Sequence, residues 1–443
     1  MVDQTRSRIP VAHARSSHDE HPTVARALTE PVARSLEYWA ATRGGVAALF
    51  EGAATLTYHE WNEYADMLAD ALAGRGLDLD DVVAVRCRNR IEWAVIAMAC
   101  SKIGARLLTL DPDLTARALR ERLIESQAGA VIVGDVAPVR VAPALEALPL
   151  RLRATMDHAS PGFFNFWDLF PPVAQPRFGA AQPSLLAWTS GVTGRALPIG
   201  LPPRRAAPAS ISRPPAPETG ASLITVSLHR VWGPVQLWAA LIAGRSIALS
   251  HSHDAAGALD MISRRRITHW SAMPETFDEL RRLGQEAVRA ADTSYLRELV
   301  IGGAPAATDL KEWLASLFGP ILSEAYGSTE TGLISTMQVA RQTDKPGSCG
   351  RPIRGVSVEI RDADGRRLPS GAVGEIWART PRTIECDLPV VARLVRRDAD
   401  GFIATKDVGR VDDDGFIYIT GRADDLSRAD VRHASWGVTN RQG

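Results

Sequence analysis

The chain has 443 residues, 45% hydrophobic and 23% charged, with 51 basic residues against 51 acidic ones. This length exceeds one ordinary domain and this composition supports a buried core, so two or three packed subdomains are expected and wholesale disorder is not. Charge neutrality argues against a nucleic-acid binder, which carries a basic excess or stripe.

The first residues, MVDQTRSRIPVAHARSSHDEHP, are polar throughout and lack the apolar centre of a secretory signal, so 1–30 reads as a flexible leader. Leu56-Thr-Tyr58 is a short extended segment, and Trp61 to Leu72 has helical spacing. Val82 to Val85 is a continuous apolar run, Trp93 to Ile103 is helical again, and Ala130 to Val133 is another buried strand. Ile91 to Leu110 is interrupted by Glu92, Lys102 and Arg106, so it reads as a buried helix and the strand after it, not a membrane span. Leu201 to Gly220 carries six prolines without periodicity and reads as a loop. Alternation resumes with Leu223 to Val226, Val235 to Ile242 and Ser246 to Leu249, and Leu299 to Ile301 runs into Gly302-Gly303. After Gly350 come short strands with turn signals, at Val356 to Ile360 and Gly374 to Trp377. The pattern predicts an α/β protein, with parallel-sheet subdomains covered by helices and a small β-rich subdomain. Its expected organisation is α/β core over 31–350, β-rich subdomain over 351–422, and hinge with tail over 423–443. Cys87, Cys100, Cys349 and Cys386 are scattered without a CxxC pair, as expected of reduced structural thiols in a cytoplasmic protein.

Three segments carry candidate chemistry. Trp188-Thr-Ser-Gly-Val-Thr-Gly194 follows an apolar run, and packed hydroxyls and glycines let backbone amides approach a polyphosphate. In Ala325-Tyr-Gly-Ser-Thr-Glu-Thr-Gly332, an aromatic beside glycine suits a purine face, and Glu330 offers a hard oxygen ligand to magnesium. Thr405-Lys-Asp407 precedes Asp412 to Gly415 and the alternating Phe416 to Ile419, a hairpin signal, and Asp407 suits two ribose hydroxyls. Each segment taken alone also reads as an ordinary turn. Their order and spacing carry more.

Together these segments resemble the adenylate-forming superfamily of acyl-CoA synthetases, aryl-CoA ligases, luciferases and peptide-synthetase adenylation domains. The similarity runs from about Leu28 to Asp425, through Asn89-Arg-Ile-Glu-Trp93, Ser227-Leu-His229, Gly302-Gly-Ala-Pro305, Pro346 to Pro352 and Gly371 to Glu375. The resemblance implies ATP-dependent activation of a small-molecule carboxylic acid, with Mg2+, and coenzyme A or a carrier protein as acceptor. It makes Thr189, Ser190, Gly191, Thr193 and Gly194 the phosphate loop. It places Gly303, Ala304 and Pro305 beside the adenine and Tyr326 on the purine face. Thr329 becomes the α-phosphate contact, Glu330 the magnesium ligand, Asp407 the ribose carboxylate with Arg422 near it, and Asp424 the hinge. His229 falls at the border of the acyl pocket, although a lone histidine in such a segment also suits a core.

Three departures bear on activity. Ile199 follows Pro198 where the family has lysine, and Lys406 replaces a glycine before Asp407. Only eighteen residues follow Asp425, whereas the family continues into a small domain with a second catalytic lysine. Losing such preorganised cations costs about 10²–10³ in rate each. The expectations are therefore an impaired acyl-adenylate former, or one completed in trans by a separate C-terminal domain. The alternative is a non-catalytic nucleotide- or acyl-adenylate-binding scaffold.

Overall fold

Valine-rich runs with no polar face need cover on both sides, and two sheets with three helical layers supply it. The computed structural model describes residues 32–170, 184–188, 198–200, 220–251, 254–328, 330–380 and 395–423. The leader, most of the proline tract, Cys386, Thr329, residues 189–194 and Asp424 lie outside the described residues.

Strands β1 (Ala47–Glu51) and β2 (Ala54–Thr57) begin the larger sheet. The next seven are β3 (Val82–Arg86), β4 (Arg106–Leu110), β5 (Ala128–Val133), β6 (Leu152–Thr155), β7 (Phe164–Asn165), β8 (Ser184–Trp188) and β9 (Pro198–Gly200). They form a separate sheet in the order β7-β6-β5-β3-β4-β8-β9, parallel except where β9 turns back on β8. The larger sheet resumes with the parallel strands β10 (Ala221–Ile224), β11 (Ser246–Leu249), β12 (Ile267–Ala272), β13 (Glu298–Gly302) and β14 (Leu322–Ser328). It continues antiparallel through β15 (Gly332–Gln338), β16 (Ser348–Pro352), β17 (Ser357–Arg361), β18 (Gly374–Arg379), β19 (Ile403–Val411) and β20 (Ile417–Arg422).

Helices α1 (Val32–Arg43), α2 (Tyr58–Ala73) and α3 (Ile91–Ile103) lie between the two sheets. Helices α4 (Ala116–Glu125) and α5 (Pro138–Leu145) cover the far face of the smaller sheet, and α6 (Trp232–Ile242) returns to the shared layer. Helices α7 (Ala255–Arg265), α8 (Pro274–Leu283), α9 (Gln285–Ala290) and α10 (Thr308–Phe318) cover the far face of the larger sheet. Strand residues divide accordingly. Val83 and Val85 of β3 enter the shared core, while Val82 and Ala84 face α4 and α5.

Local chemistry fixes several boundaries. Tyr58 opens α2 instead of ending an extended segment, because Thr57 and Glu60 form a reciprocal capping box. Gly104, at φ 77°, ends α3 and donates its N–H to the Cys100 carbonyl. Cys87, Cys100 and Cys349 are free and buried, and burial pushes Cys100 and Cys349 up to about 12, so both stay protonated thiols. Beyond residue 350, β16 pairs with both β15 and β20, so the β-rich strands extend the larger sheet without a break.

Lys406 takes φ 63° within β19, where its carbonyl accepts the Ala423 N–H at 2.8 Å. A lysine in the left-handed region carries a strain that glycine avoids. Lys406→Gly is therefore expected to raise the unfolding free energy by about 1 kcal/mol in urea titration. A loss of stability would show that the lysine side chain contributes more than its backbone costs.

Candidate functional site

Two features occupy strand ends, the first of the larger sheet and the second of both sheets. The first joins three strands through one carboxylate. Asp407 on β19 faces Arg422 on β20 as its register partner, and Tyr326 arrives from β14. The Tyr326 Oη donates to Asp407 Oδ2 at 2.8 Å, and Arg422 Nη1 donates to Oδ1 at 2.7 Å. Thr405 Oγ1 receives the Asp407 N–H at 3.1 Å and donates to the Ile376 carbonyl, which anchors the strand beneath. Asp407 is 6% exposed and Tyr326 8%. Burial, reinforced by the adjacent Asp407, pushes the Tyr326 phenol well above its ordinary value, so it acts as a neutral donor. An ionised carboxylate offers about four lone-pair positions, and these two bonds use two of them. The carboxylate is thus oriented with acceptor capacity left over.

Glu330 sits in the turn between β14 and β15, half-buried, with no hydrogen bond or ion pair among the described residues. Beside it, Ser328 and Thr331 bind one another, and the Thr380 hydroxyl donates to the Thr331 carbonyl at 3.0 Å. The turn is therefore pinned around a glutamate that has no partner among the described residues. Gly303, at φ 80°, follows β13, whose Gly302 is the register partner of Ala325, next to Tyr326. Ala304 is half-buried and Pro305 exposed at that same strand end.

The second feature is a cavity of about 210 Å³ between the sheets. Its walls include Arg88 after β3, Asp111 after β4, His229 and Arg230 after β10, His251 after β11 and Glu275 after β12. All stand beyond the carboxyl ends of parallel strands, where ligands of open α/β sheets collect. Asn89 fixes the junction. Its amide donates to the Val226 and Ser250 carbonyls at 3.1 and 2.8 Å, and its Oδ1 accepts the Leu228 N–H at 2.8 Å. His229 is held next to Leu228, and its carbonyl accepts the Thr109 hydroxyl at 3.1 Å.

The His229 ring lies 3.8 Å from Asp111. Burial lowers its pKa below 6.5, and Asp111 opposes that shift only in part. Between the folded value and 6.5 the unfolded chain binds more protons at this position. The stabilising contribution is therefore present above about pH 6.5 and lost as pH falls through the folded value. His229→Asn should unfold with a flatter dependence on pH between 7.5 and 5.5 than the parent chain. Parallel pH profiles would contradict this.

An aromatic side chain packs on the strand-end glycines. A Cβ on Gly303 would stand 3.0 Å from Trp232 Cε3 and 3.7 Å from Met273 Cε, and one on Gly302 would stand 3.4 Å from Trp232 Cη2. Trp232, the first residue of α6, lies in contact with the Gly302–Gly303 segment, and the Ala325 carbonyl, 2.7 Å from where a Gly302 Cβ would stand, excludes a side chain at Gly302. Met273 also lines the cavity.

Of the residues singled out in the sequence, Tyr326, Asp407 and Arg422 are in direct contact. Glu330 and the Gly303–Pro305 segment border them through β14, and His229 lines the cavity. Thr189, Ser190, Gly191, Thr193, Gly194 and Thr329 are outside the described residues. The flanks of the first loop are in place, since Trp188 and Pro198 are register partners and Ile199 pairs with Ala187. The Tyr326–Asp407 bond and the cavity's charged lining escaped the sequence reading. An Asx residue among apolar strand ends, Asn89, was the available signal for the cavity's position. Among the described residues no three His, Cys, Asp or Glu side chains group as a metal cluster, and no helix is long and apolar enough to cross a membrane.

Comparison with known proteins bears on the family and the fold. The pattern of the family described as AMP-binding enzyme matches residues 36–386. The chain is 28% identical over 421 residues to 4-coumarate–CoA ligase 1 of Oryza sativa subsp. japonica, covering 85% of this chain and 72% of that one. It is 28% identical over 401 residues to the fatty acid–[acyl-carrier-protein] ligase ScoC of Streptomyces coeruleorubidus, covering 86% and 74%. The anthranilate CoA ligase AuaEII, solved in complex with anthranoyl-AMP, superposes with a TM-score of 0.76 at 21% identity, covering 91% of this chain and 80% of that one.

Proposed function

The chain belongs to the AMP-binding enzyme family, and on that premise we propose that it activates a small-molecule carboxylic acid with ATP and passes the acyl group to a thiol. In this reaction a carboxylate oxygen attacks the α-phosphorus of ATP and pyrophosphate leaves. The thiol, on coenzyme A or a carrier protein, then displaces AMP. Such chemistry asks the protein mainly for positioning and for stabilising charge.

One observation carries the reading: the buried Asp407 is oriented by Tyr326 and Arg422 and keeps spare acceptor capacity. That is what two ribose hydroxyls require of a carboxylate. In this reading Tyr326 borders the purine, and Gly303, Ala304 and Pro305 line the strand end beside the adenine. Thr189, Ser190, Gly191, Thr193 and Gly194 enclose the phosphates, Thr329 meets the α-phosphate, and His229 borders the acid. Mg2+ fits a single uncommitted carboxylate, because it keeps several waters and shares phosphate oxygens. Glu330 would hold it, and its charge would offset that of the phosphates.

A second reading, nucleotide binding without turnover, is favoured by Ile199, which stands where the resemblance places a lysine. ATP–pyrophosphate exchange with a panel of short, fatty and aryl acids separates the two. Acid-dependent exchange supports activation. Folded protein that binds ATP but gives no exchange across the panel supports the second reading.

A further inference from the structure

We propose that Thr380 is a positioning residue for Glu330, and that its hydroxyl holds the turn on which the carboxylate must meet Mg2+. The inference rests on the activation reading above and adds to it a residue from another part of the sheet.

The turn between β14 and β15 has little to fix its place from within. Pairing of the two strands ends at Ser328 and Gly332, and their register already slips between Tyr326 and Gly327. Gly332, at φ 70°, supplies the bend. The Thr331 N–H and hydroxyl both meet Ser328 Oγ, at 3.2 and 2.9 Å. Those bonds lie inside the hairpin, so they give the turn its shape and move with it.

The Thr380 bond comes from elsewhere. Thr380 directly follows β18, which β19, β20, β16 and β15 separate from β14 in the order of the sheet. The sheet curls enough to bring the two together, since Tyr326 shares a core cluster with Ile376 and Ala378 of β18 and bonds to Asp407 of β19. At this closure Thr380 Oγ1 donates to the Thr331 carbonyl at 3.0 Å. Thr331 is 2% exposed and Thr380 8%, so water is a poor substitute for either partner. A turn that shifted to find this carbonyl a new donor would carry the adjacent Glu330 with it. Glu330 has no partner of its own among the described residues, so its direction depends on the backbone beneath it. Groups that orient a metal ligand from behind typically change metal affinity by about 10–100-fold when removed.

Calorimetry of the full chain with ATP, in Mg2+ and in EDTA, tests this without turnover. The quantity read is the gain in ATP affinity that Mg2+ confers. Glu330→Gln should abolish most of that gain and serves as the reference. Thr380→Val keeps the size of the side chain but not its hydroxyl. It should cut the gain about tenfold, while ATP affinity in EDTA stays as in the parent chain. Thr380→Ser should restore the gain, and Thr380→Ala, a second truncation, should repeat the loss. In a Glu330→Gln background Thr380→Val should change nothing further. A parent-like gain in folded Thr380→Val or Thr380→Ala overturns the inference. So does an equal loss in Mg2+ and EDTA, or a serine variant no better than the valine one. A parent-like gain in Glu330→Gln would remove the metal role from that carboxylate, and no ATP binding by the parent chain would sink the nucleotide reading itself. The inference falls with either.

Discussion

Asp407→Ala should weaken ATP binding about 100-fold or more while leaving the chain folded. The estimate takes two hydrogen bonds from ribose hydroxyls to a charged acceptor at about 1.5 kcal/mol each, with every 1.4 kcal/mol worth a factor of ten. The carboxylate is 6% exposed and held by Tyr326 and Arg422, so its remaining lone pairs have fixed directions. Alanine also removes one charged partner of the Arg422 guanidinium. That side chain is 33% exposed, so water moderates the cost. Asp407→Asn separates the two effects, because it keeps the shape and one acceptor while removing the charge. Calorimetry on protein whose urea unfolding midpoint has been checked reads the result. ATP affinity unchanged in Asp407→Ala would mean that this carboxylate does not face a ribose, and the proposed site would lose its anchor.

Lys102→Ala should be the most damaging single truncation of a charged residue outside the site, lowering the unfolding free energy by about 3–5 kcal/mol. The Lys102 side chain is fully buried on α3 and meets Asp66 at 2.9 Å and Glu37 at 3.2 Å. Those acids come from α2 and α1, so one ammonium holds three helices of the layer shared by both sheets. Removing it leaves two poorly solvated carboxylates facing each other and a gap in the core. Lys102→Met fills the gap but not the charge, and should recover only part of the loss. Lys345 offers the contrast. It meets Asp412 and Asp414 on an exposed hairpin, where truncation should have little effect. Equal urea midpoints for the parent chain and Lys102→Ala would show that the buried triad is energetically neutral.

Much of the element order was legible in the sequence because each buried strand is an apolar run of four to six residues between helices of the right period. Val82 to Val85, Ala130 to Val133 and Ser246 to Leu249 became β3, β5 and β11 for that reason. Pairing was less legible. Nothing local tells β1 that its neighbour is β11, some two hundred residues away, or that β16 bridges β15 and β20. The β-rich region was recognisable by its turns, but its continuity with the larger sheet depends on those long-range registers.

The site divided in the same way. Tyr326, Asp407 and Arg422 were nominated from a resemblance in spacing, and the fold brings them into contact. Their mutual hydrogen bonds were not legible, because Tyr326 and Asp407 are 81 positions apart. The cavity's charged lining was missed for a related reason: its members come from five different strand ends and share no motif.

The most direct test is amide hydrogen exchange on the full chain with and without Mg·ATP. A single nucleotide held by three separate segments should slow exchange together at 189–194, 302–305 with 326–332, and 405–408. Protection confined to one of these segments, or none at saturating ATP, would contradict the account.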